Sequence, residues 1–288
     1  MTFNEKLKDY TDRINAELEN AVRDFPKDNI VSEAMAYSLL AGGKRIRPVI
    51  ALGVCDALGG NMEEALYFGC ALEMIHTYSL IHDDLPCMDN DTLRRGMPTC
   101  HVKYGEAYAL LAGDGLLTYA FCYITKKVKN VSRAFNFIKY LSYGAGIDGM
   151  VGGQTDDIKA ETERASLSEL MSIHARKTGA LINCAGAAGA IAAGKDSSFC
   201  EDYTKSVGLA FQIKDDILDV EGEAEKMGKT LMKDIDSEKS TFVTILGIDK
   251  AKAELKRETD KAIKACCAFG TNGGFLKDLA LLLLEREN

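Results

Sequence analysis

The chain has only four prolines, Pro26, Pro48, Pro86 and Pro98, and none from Thr99 to its last residue, Asn288. Proline removes a backbone donor and clashes with the preceding turn, so its absence over such a span argues for long uninterrupted helices. No Ser/Pro tract, low-complexity segment or internal repeat interrupts the sequence, and nothing reads as a linker. A chain of 288 residues buries about three quarters of its unfolded surface, and one domain, residues 1–288, is expected. The nine cysteines include no Cys-x-x-Cys pair. Their odd number and lack of metal-type spacing point to reduced thiols, buried as structural residues. Basic residues are in deficit: the net charge is −8 and the pI about 5.2, which argues against a nucleic-acid partner. The start, Met1-Thr-Phe-Asn-Glu-Lys6, lacks both the apolar core of a signal peptide and the Arg-rich character of a transit peptide. No apolar run reaches the roughly 18 residues of a membrane span. The nearest, Ala180 to Ala193, is short and contains Asn183, so it reads as a buried helix. These absences describe a cytoplasmic protein without a membrane span.

What is present is helical periodicity. Leu66, Cys70, Met74 and Leu80 fall close to one stripe in the run from Met62 to His82. Tyr108–Val128, Ala134–Val151, Leu167–Ala193 and Phe199–Val220 read the same way. Several are apolar nearly all round, as buried helices of a large bundle should be. Gly59-Gly60, Gly152-Gly153 and Gly273-Gly274 punctuate them, and alternating strands with hairpin turns are hard to find. The expected fold class is all-α, with long helices around a central space.

Two acidic clusters stand at the ends of such runs: Asp83-Asp84-Leu-Pro-Cys-Met-Asp89 and Asp215-Asp216-Ile-Leu-Asp219. Asp215 and Asp219, four apart, project from one helix face, whereas Asp216 points elsewhere, toward solvent or behind the site. Asp83 and Asp89 are six apart, about 240° around an ideal helix. They share a site only if the helix ends between them, and Pro86 supplies that break. Oxygen-only donors suit a hard cation such as Mg²⁺, which keeps waters and takes substrate phosphates as its other ligands. Solvated helix ends are the plain alternative, weakened because the second cluster lies inside the apolar run Val207–Val220. A calcium loop at Asp89-Asn90-Asp91 is rejected, since the central glycine and terminal glutamate are missing.

Cations accompany the acids. Gly42-Gly43-Lys44-Arg45-Ile46-Arg47-Pro48 puts three in four residues after a flexible pair, and Arg94-Arg95-Gly96 follows the first cluster. Lys177-Thr178-Gly179 and Gly228-Lys229-Thr230 repeat a smaller theme. Arginine forks bind phosphate oxygens in pairs and lysine acts as a movable point charge. Singly, each reads as a surface feature. None is a P-loop, because Glu223 stands where the first glycine should be.

These segments, with Glu73-Met-Ile-His-Thr-Tyr-Ser-Leu-Ile-His82 ahead of the first cluster, Leu93-Arg-Arg-Gly-Met-Pro-Thr99, Leu111-Ala-Gly-Asp114, Gly152-Gly-Gln154 and Phe211-Gln-Ile-Lys214, resemble the trans-polyprenyl diphosphate synthases. The likeness spans the whole chain, most specifically residues 42–242, and is strongest to the bacterial farnesyl diphosphate synthases. It implies an all-α homodimer of isoprenoid synthase type, with the two acidic motifs facing across a deep cavity and a cluster of Mg²⁺ ions (Mn²⁺ as a substitute) gripping an allylic diphosphate. By resemblance, Asp83, Asp89 and Asp215 are direct metal ligands, and Asp84 and Asp219 act through water or from behind. Arg94, Lys177, Lys229 and Lys239 are similar to the allylic-diphosphate cations. Gly43, Lys44, Arg47, His76 and Arg95 resemble the isopentenyl-diphosphate site, and Thr178 and Gln212 line the reacting centre. A lone helical histidine is usually structural; the motif gives His76 its substrate role.

The implied reaction ionises the allylic diphosphate, adds the alkene of isopentenyl diphosphate and loses a proton to the released diphosphate. The lack of an evident Ser-His or Cys-His set is therefore expected. Tyr78, about 7.5 Å further down the helix than Asp83, is similar to an aromatic that stops growth at fifteen carbons in related enzymes, with Ser79 beside it. Geranylgeranyl diphosphate is the longer alternative product. A terpene cyclase would not need Lys44, Arg47 and Arg95, and a non-catalytic partner subunit would be expected to lose acids or cations. Departures from the family pattern are Met232-Lys233-Asp234, where a second Gly-Lys is common, and Thr92, where another acid is common. Arg286 near the C-terminus is a candidate cap over the isopentenyl site.

Overall fold

Several helix starts are set by short polar side chains. Asn29 accepts from the N–H groups of Val31 and Ser32, Asn61 from those of Glu63 and Glu64, and Thr2 and Ser166 form reciprocal boxes with Glu5 and Glu169. Each satisfies donors that the first turn would leave bare. The computed structural model describes residues 1–227 and 240–285, excepting the side chains of residues 222–227 and 284–285. These residues form two compact units, Met1–Lys139 with Ala188–Lys195, and Tyr140–Ala187 with Asp196–Asn288.

The first unit holds α1 (Phe3–Val22), α2 (Ile30–Leu39), α3 (Ile46–Ala57), α4 (Met62–Asp83), a hairpin of β1 (Leu93–Arg94) and β2 (Met97–Pro98), α5 (Cys100–Tyr104) and α6 (Glu106–Lys127). It also takes in the start of α7 (Val131–Ala145). α4 is its centre: every residue from Phe68 to Ile75 is buried, and α3 and α6 pack on it. Gly69 lets α3 come close, since a Cβ there would lie 3.0 Å from the Pro48 side chain. Phe68 stacks on Phe137 at 4.2 Å.

The second unit contains α8 (Met150–Thr162), α9 (Leu167–His174), a π-helical turn (Ala175–Gly179), most of α10 (Ala180–Ala192), α11 (Glu201–Met227), α12 (Phe242–Leu246), α13 (Ile248–Ala265) and α14 (Gly274–Glu285). α11 lies along α13. Leu170, Ile213, Ile217, Phe242, Val243 and Leu255 share one core. Burying each large apolar side chain contributes about 1.5–3 kcal/mol, so Ile213 and Ile217 tie the helix of the second acidic cluster firmly to its neighbours.

The all-α expectation holds, with four differences in detail. Gly152-Gly153 lies inside α8; the break in the run Ala134–Val151 falls at 146–149 instead. A side chain at Gly153 would collide with the backbone of Lys177, so that glycine serves close helix packing rather than a turn. A two-residue hairpin exists, and Arg95-Gly96 forms its tight turn, both at positive φ (53° and 75°). Three cysteines, Cys87, Cys122 and Cys267, are exposed; none of the nine forms a disulfide. Finally, α6 is long and apolar enough to pass as a membrane span by length and composition. Its face of Ala109, Ala112, Gly113, Leu116, Ala120 and Ile124 is buried, and it packs on α4 and α2.

Candidate active site

Pro86 ends α4 at Asp83, and the chain turns back on itself. The Leu85 N–H donates to the His82 carbonyl at 3.1 Å and the Met88 N–H to Leu85 at 2.8 Å. The Asp89 N–H then donates to the Asp83 carbonyl at 2.8 Å. The break therefore returns residue 89 to residue 83. Asp84 takes the opposite course. It is buried (3% exposed), and its carboxylate accepts from Arg94 Nε at 2.7 Å. Burial outweighs the guanidinium and leaves the Asp84 carboxyl above its usual pKa. Asp91 pairs with the same arginine at 3.3 Å.

A cationic cluster surrounds His76, which lies on α4 about two helical turns before Asp83. Loss of water around the ring, then the charges of Arg47, Arg95, Arg94 and Arg45, push its imidazole well below the ordinary histidine pKa. It is neutral at pH 7. Arg95 donates to the Gly42 carbonyl and lies flat on Gly43, where a Cβ would sit 2.7 Å from the guanidinium carbon. Gly43 also has φ +124°, a second reason for glycine there. Lys44 is exposed and Arg47 half-buried. Gly43, Arg47, His76 and Arg95 thus converge within the first unit, with Lys44 on the same loop.

Arg45 behaves differently from its neighbours. Its side chain turns inward, 1% exposed, to Glu73 at 2.8 Å, Asn15 at 3.1 Å and the Leu39 carbonyl at 2.9 Å. Tyr78 is buried, with its ring 5.8 Å from that of His82. Burial and the Asp83 charge raise its phenol to about 12, so it stays protonated. Ser79 donates to the His76 carbonyl at 2.9 Å.

In the second unit, Asp215 and Asp219 lie four apart on α11, and Gln212 donates to Asp215 at 3.3 Å. Asp216 is mostly buried and accepts the Phe242 N–H at 2.7 Å, starting α12. His174 lies 3.9 Å from the same carboxylate and stacks on Phe242 at 5.6 Å. Asp216 therefore points elsewhere, as its spacing requires, but into the protein rather than into solvent. Lys177 and Thr178 ride on the π-helical turn, a local irregularity frequent at functional sites. Thr178 is buried, and Lys177 Nζ lies 2.5 Å from Asp157 of α8. Lys229, Lys239 and Arg286 lie outside the described residues.

Sequence reasoning passed over Arg45, Glu73, Asp91 and Asp157. Asp156-Asp157, one turn beyond Gly153, was a visible acidic pair. The partnership of Arg45 with Glu73 spans 28 residues and left no local signal.

Among the described residues, no three or more His, Cys, Asp or Glu side chains form a metal site. The candidate ligands offer oxygen donors alone, Asp83 and Asp89 in one unit and Asp215 and Asp219 in the other. That donor chemistry fits Mg²⁺, for which one or two carboxylates suffice when waters and phosphates fill the remaining positions.

The family model described as polyprenyl synthetase matches residues 28–268. The chain is 46% identical over 286 residues to the farnesyl diphosphate synthase of Micrococcus luteus, covering 97% of each. It is 45% identical over 260 residues to a chloroplastic geranylgeranyl pyrophosphate synthase of Capsicum annuum, covering 87% of this chain and 70% of that one. A solved FPP/GFPP synthase from Zymomonas mobilis matches with TM-score 0.88 at 34% identity, covering 98% of each chain.

Proposed function

Because the chain belongs to the polyprenyl synthetase family, we propose that it condenses isopentenyl diphosphate with dimethylallyl and then geranyl diphosphate to give farnesyl diphosphate. The observation that carries this reading is the loop after α4, whose backbone hydrogen bond from the Asp89 N–H to the Asp83 carbonyl brings those two positions back together, with Arg94 and the cations around His76 in the same unit. A site that binds and ionises diphosphates needs that combination. The two units serve one synthase domain, since the family match runs through both.

Asp83, Asp89 and Asp215 would hold Mg²⁺, with Asp219 acting through water. Bound there, the metal supplies neutralisation of the departing diphosphate. Arg94 binds the allylic diphosphate and is itself held by Asp84; Lys177, with Lys229 and Lys239, adds positive charge where the leaving oxygens become negative. Breaking the C–O bond leaves an allylic cation. Gln212 spends its amide N–H on Asp215, which leaves its carbonyl oxygen for the cation, and Thr178 adds a second dipole. Gly43, Lys44, Arg47, His76 and Arg95 hold isopentenyl diphosphate so that its alkene attacks the cation; a proton then passes to the released diphosphate. A neutral His76 donates a hydrogen bond without adding charge. Tyr78 closes the space for the growing chain, with Ser79 beside it.

Exposed apolar residues on α6 (Tyr108, Leu110, Leu111) and at the start of α7 (Val131, Phe135) support a homodimer. A cytoplasmic location follows the same reading. A product assay with isopentenyl and dimethylallyl diphosphates, Mg²⁺ and an EDTA control tests it. A metal-dependent fifteen-carbon diphosphate is expected. Twenty carbons would leave the reaction class and overturn the product; no condensation would overturn both.

A further inference from the structure

The segment Gly42–Arg47, a loop that runs into the first turn of α3, carries three cations, and they do not do the same work. Lys44 is exposed and Arg47 half-buried, while Arg45 between them is almost completely buried. The backbone at Arg45 takes a left-handed conformation, φ 50° and ψ 35°, which a side-chain-bearing residue adopts only when its surroundings hold it there. What holds it is the guanidinium, which uses three nitrogens on three separate elements: Glu73 of α4, Asn15 of α1 and the Leu39 carbonyl at the end of α2. The Arg45 carbonyl accepts the Val49 N–H at 3.0 Å in the first turn of α3. From the other side, Arg95 donates to the Gly42 carbonyl and covers Gly43. Glu73 itself lies three residues before His76 on α4, so one carboxylate links the loop to the helix turn that carries the histidine.

A buried ion pair is a poor device for stability alone, because apolar residues of similar volume usually do as well. A planar, three-way fork does fix geometry. We propose that Arg45 and Glu73 are positioning residues, which lock the Gly42–Arg47 loop against α4 so that Lys44, Arg47, His76 and Arg95 meet the diphosphate of isopentenyl diphosphate in one arrangement. This rests on the assignment of those four residues to isopentenyl diphosphate. Neither Arg45 nor Glu73 touches substrate.

The test is steady-state kinetics of the full chain carrying Arg45→Met together with Glu73→Leu, which removes the anchor without stranding a buried charge. Thermal unfolding monitors the fold. The expected result is a KM for isopentenyl diphosphate raised about tenfold, with the allylic KM and kcat at saturation changed less than about twofold. A folded double variant with an unchanged KM for isopentenyl diphosphate overturns the proposal. Should the double variant not fold, Arg45→Lys keeps the charge and loses the fork; a KM for isopentenyl diphosphate raised severalfold supports the proposal and an unchanged one overturns it. Lys44→Gln and Arg95→Gln, measured in parallel, separate the two levels. If they raise this KM while the anchor variants do not, only the positioning role falls. If they do not raise it either, the substrate assignment falls and the positioning role with it.

Discussion

The two aspartate clusters solve one problem by different local routes. In Asp83–Asp89 the helix must stop, because six residues of regular helix would leave the outer acids about 240° apart; Pro86 and the backbone hydrogen bond from the Asp89 N–H to the Asp83 carbonyl bring the two positions back together. In Asp215–Asp219 the helix continues, and a spacing of four puts both acids on one face of α11. The second acid of each cluster shows what they share. Asp84 and Asp216 each follow their neighbour by about 100° of helix turn, and each is bonded inside its own unit, one to Arg94 and the other to the N–H of Phe242. In both Asp-Asp pairs the second acid is therefore committed to the scaffold.

That division of labour can be broken from the outer acids inward. Asp83→Asn and Asp215→Asn should each lower kcat about 10³-fold, with helical circular dichroism unchanged, since they remove charge at the leaving diphosphate. Lys177→Met should cost about 10²-fold by the same physics. Asp157→Asn, which leaves Lys177 in place but removes its partner, should cost less than about tenfold; equal losses would show that Asp157 acts directly. Asp216→Ala should destabilise by about 1–3 kcal/mol, because the Phe242 N–H loses its acceptor; chemical denaturation measures this, and no change would remove Asp216 as a scaffold residue.

His76 sharpens the comparison from the side of pH. Its folded-state pKa lies below the unfolded one, so the unfolded chain binds the extra proton first. Stability should be unaffected above about pH 6.5 and should fall below it by up to about 1.4 kcal/mol per pH unit relative to His76→Gln. Denaturation midpoints across pH 7.5 to about 5 read this out, and parallel curves for the two proteins would contradict it. Tyr78→Ala should leave turnover within severalfold and lengthen the product, seen by chromatography of the dephosphorylated alcohols.

Much of this was legible in the sequence because it depends on spacing. α4, predicted over Met62–His82, runs Met62–Asp83, and the Pro86 break falls where the proline requires it. What stayed hidden depends on contacts between distant residues. Three cations in four residues do not reveal that the middle one faces inward, since its partner Glu73 lies on another helix. The Gly152-Gly153 pair read as punctuation because a glycine for close packing and a glycine for a turn look the same in one dimension. The π-helical turn under Lys177 has no spacing rule that would expose it. A hairpin is signalled by alternation and by turn pairs such as Asn-Gly or Asp-Gly, and the two-residue strands around Arg95-Gly96 show neither.

A Mg²⁺ titration of condensation for the wild type, Asp83→Asn and Asp84→Asn separates a metal-binding acid from a scaffold acid. Metal-dependent activity is expected in the wild type, and a large rise in the Mg²⁺ needed for half-maximal rate in Asp83→Asn. In Asp84→Asn that requirement should be unchanged while the allylic KM rises through Arg94. An Asp84→Asn titration displaced as far as that of Asp83→Asn, or a wild type indifferent to metal, would contradict this reading.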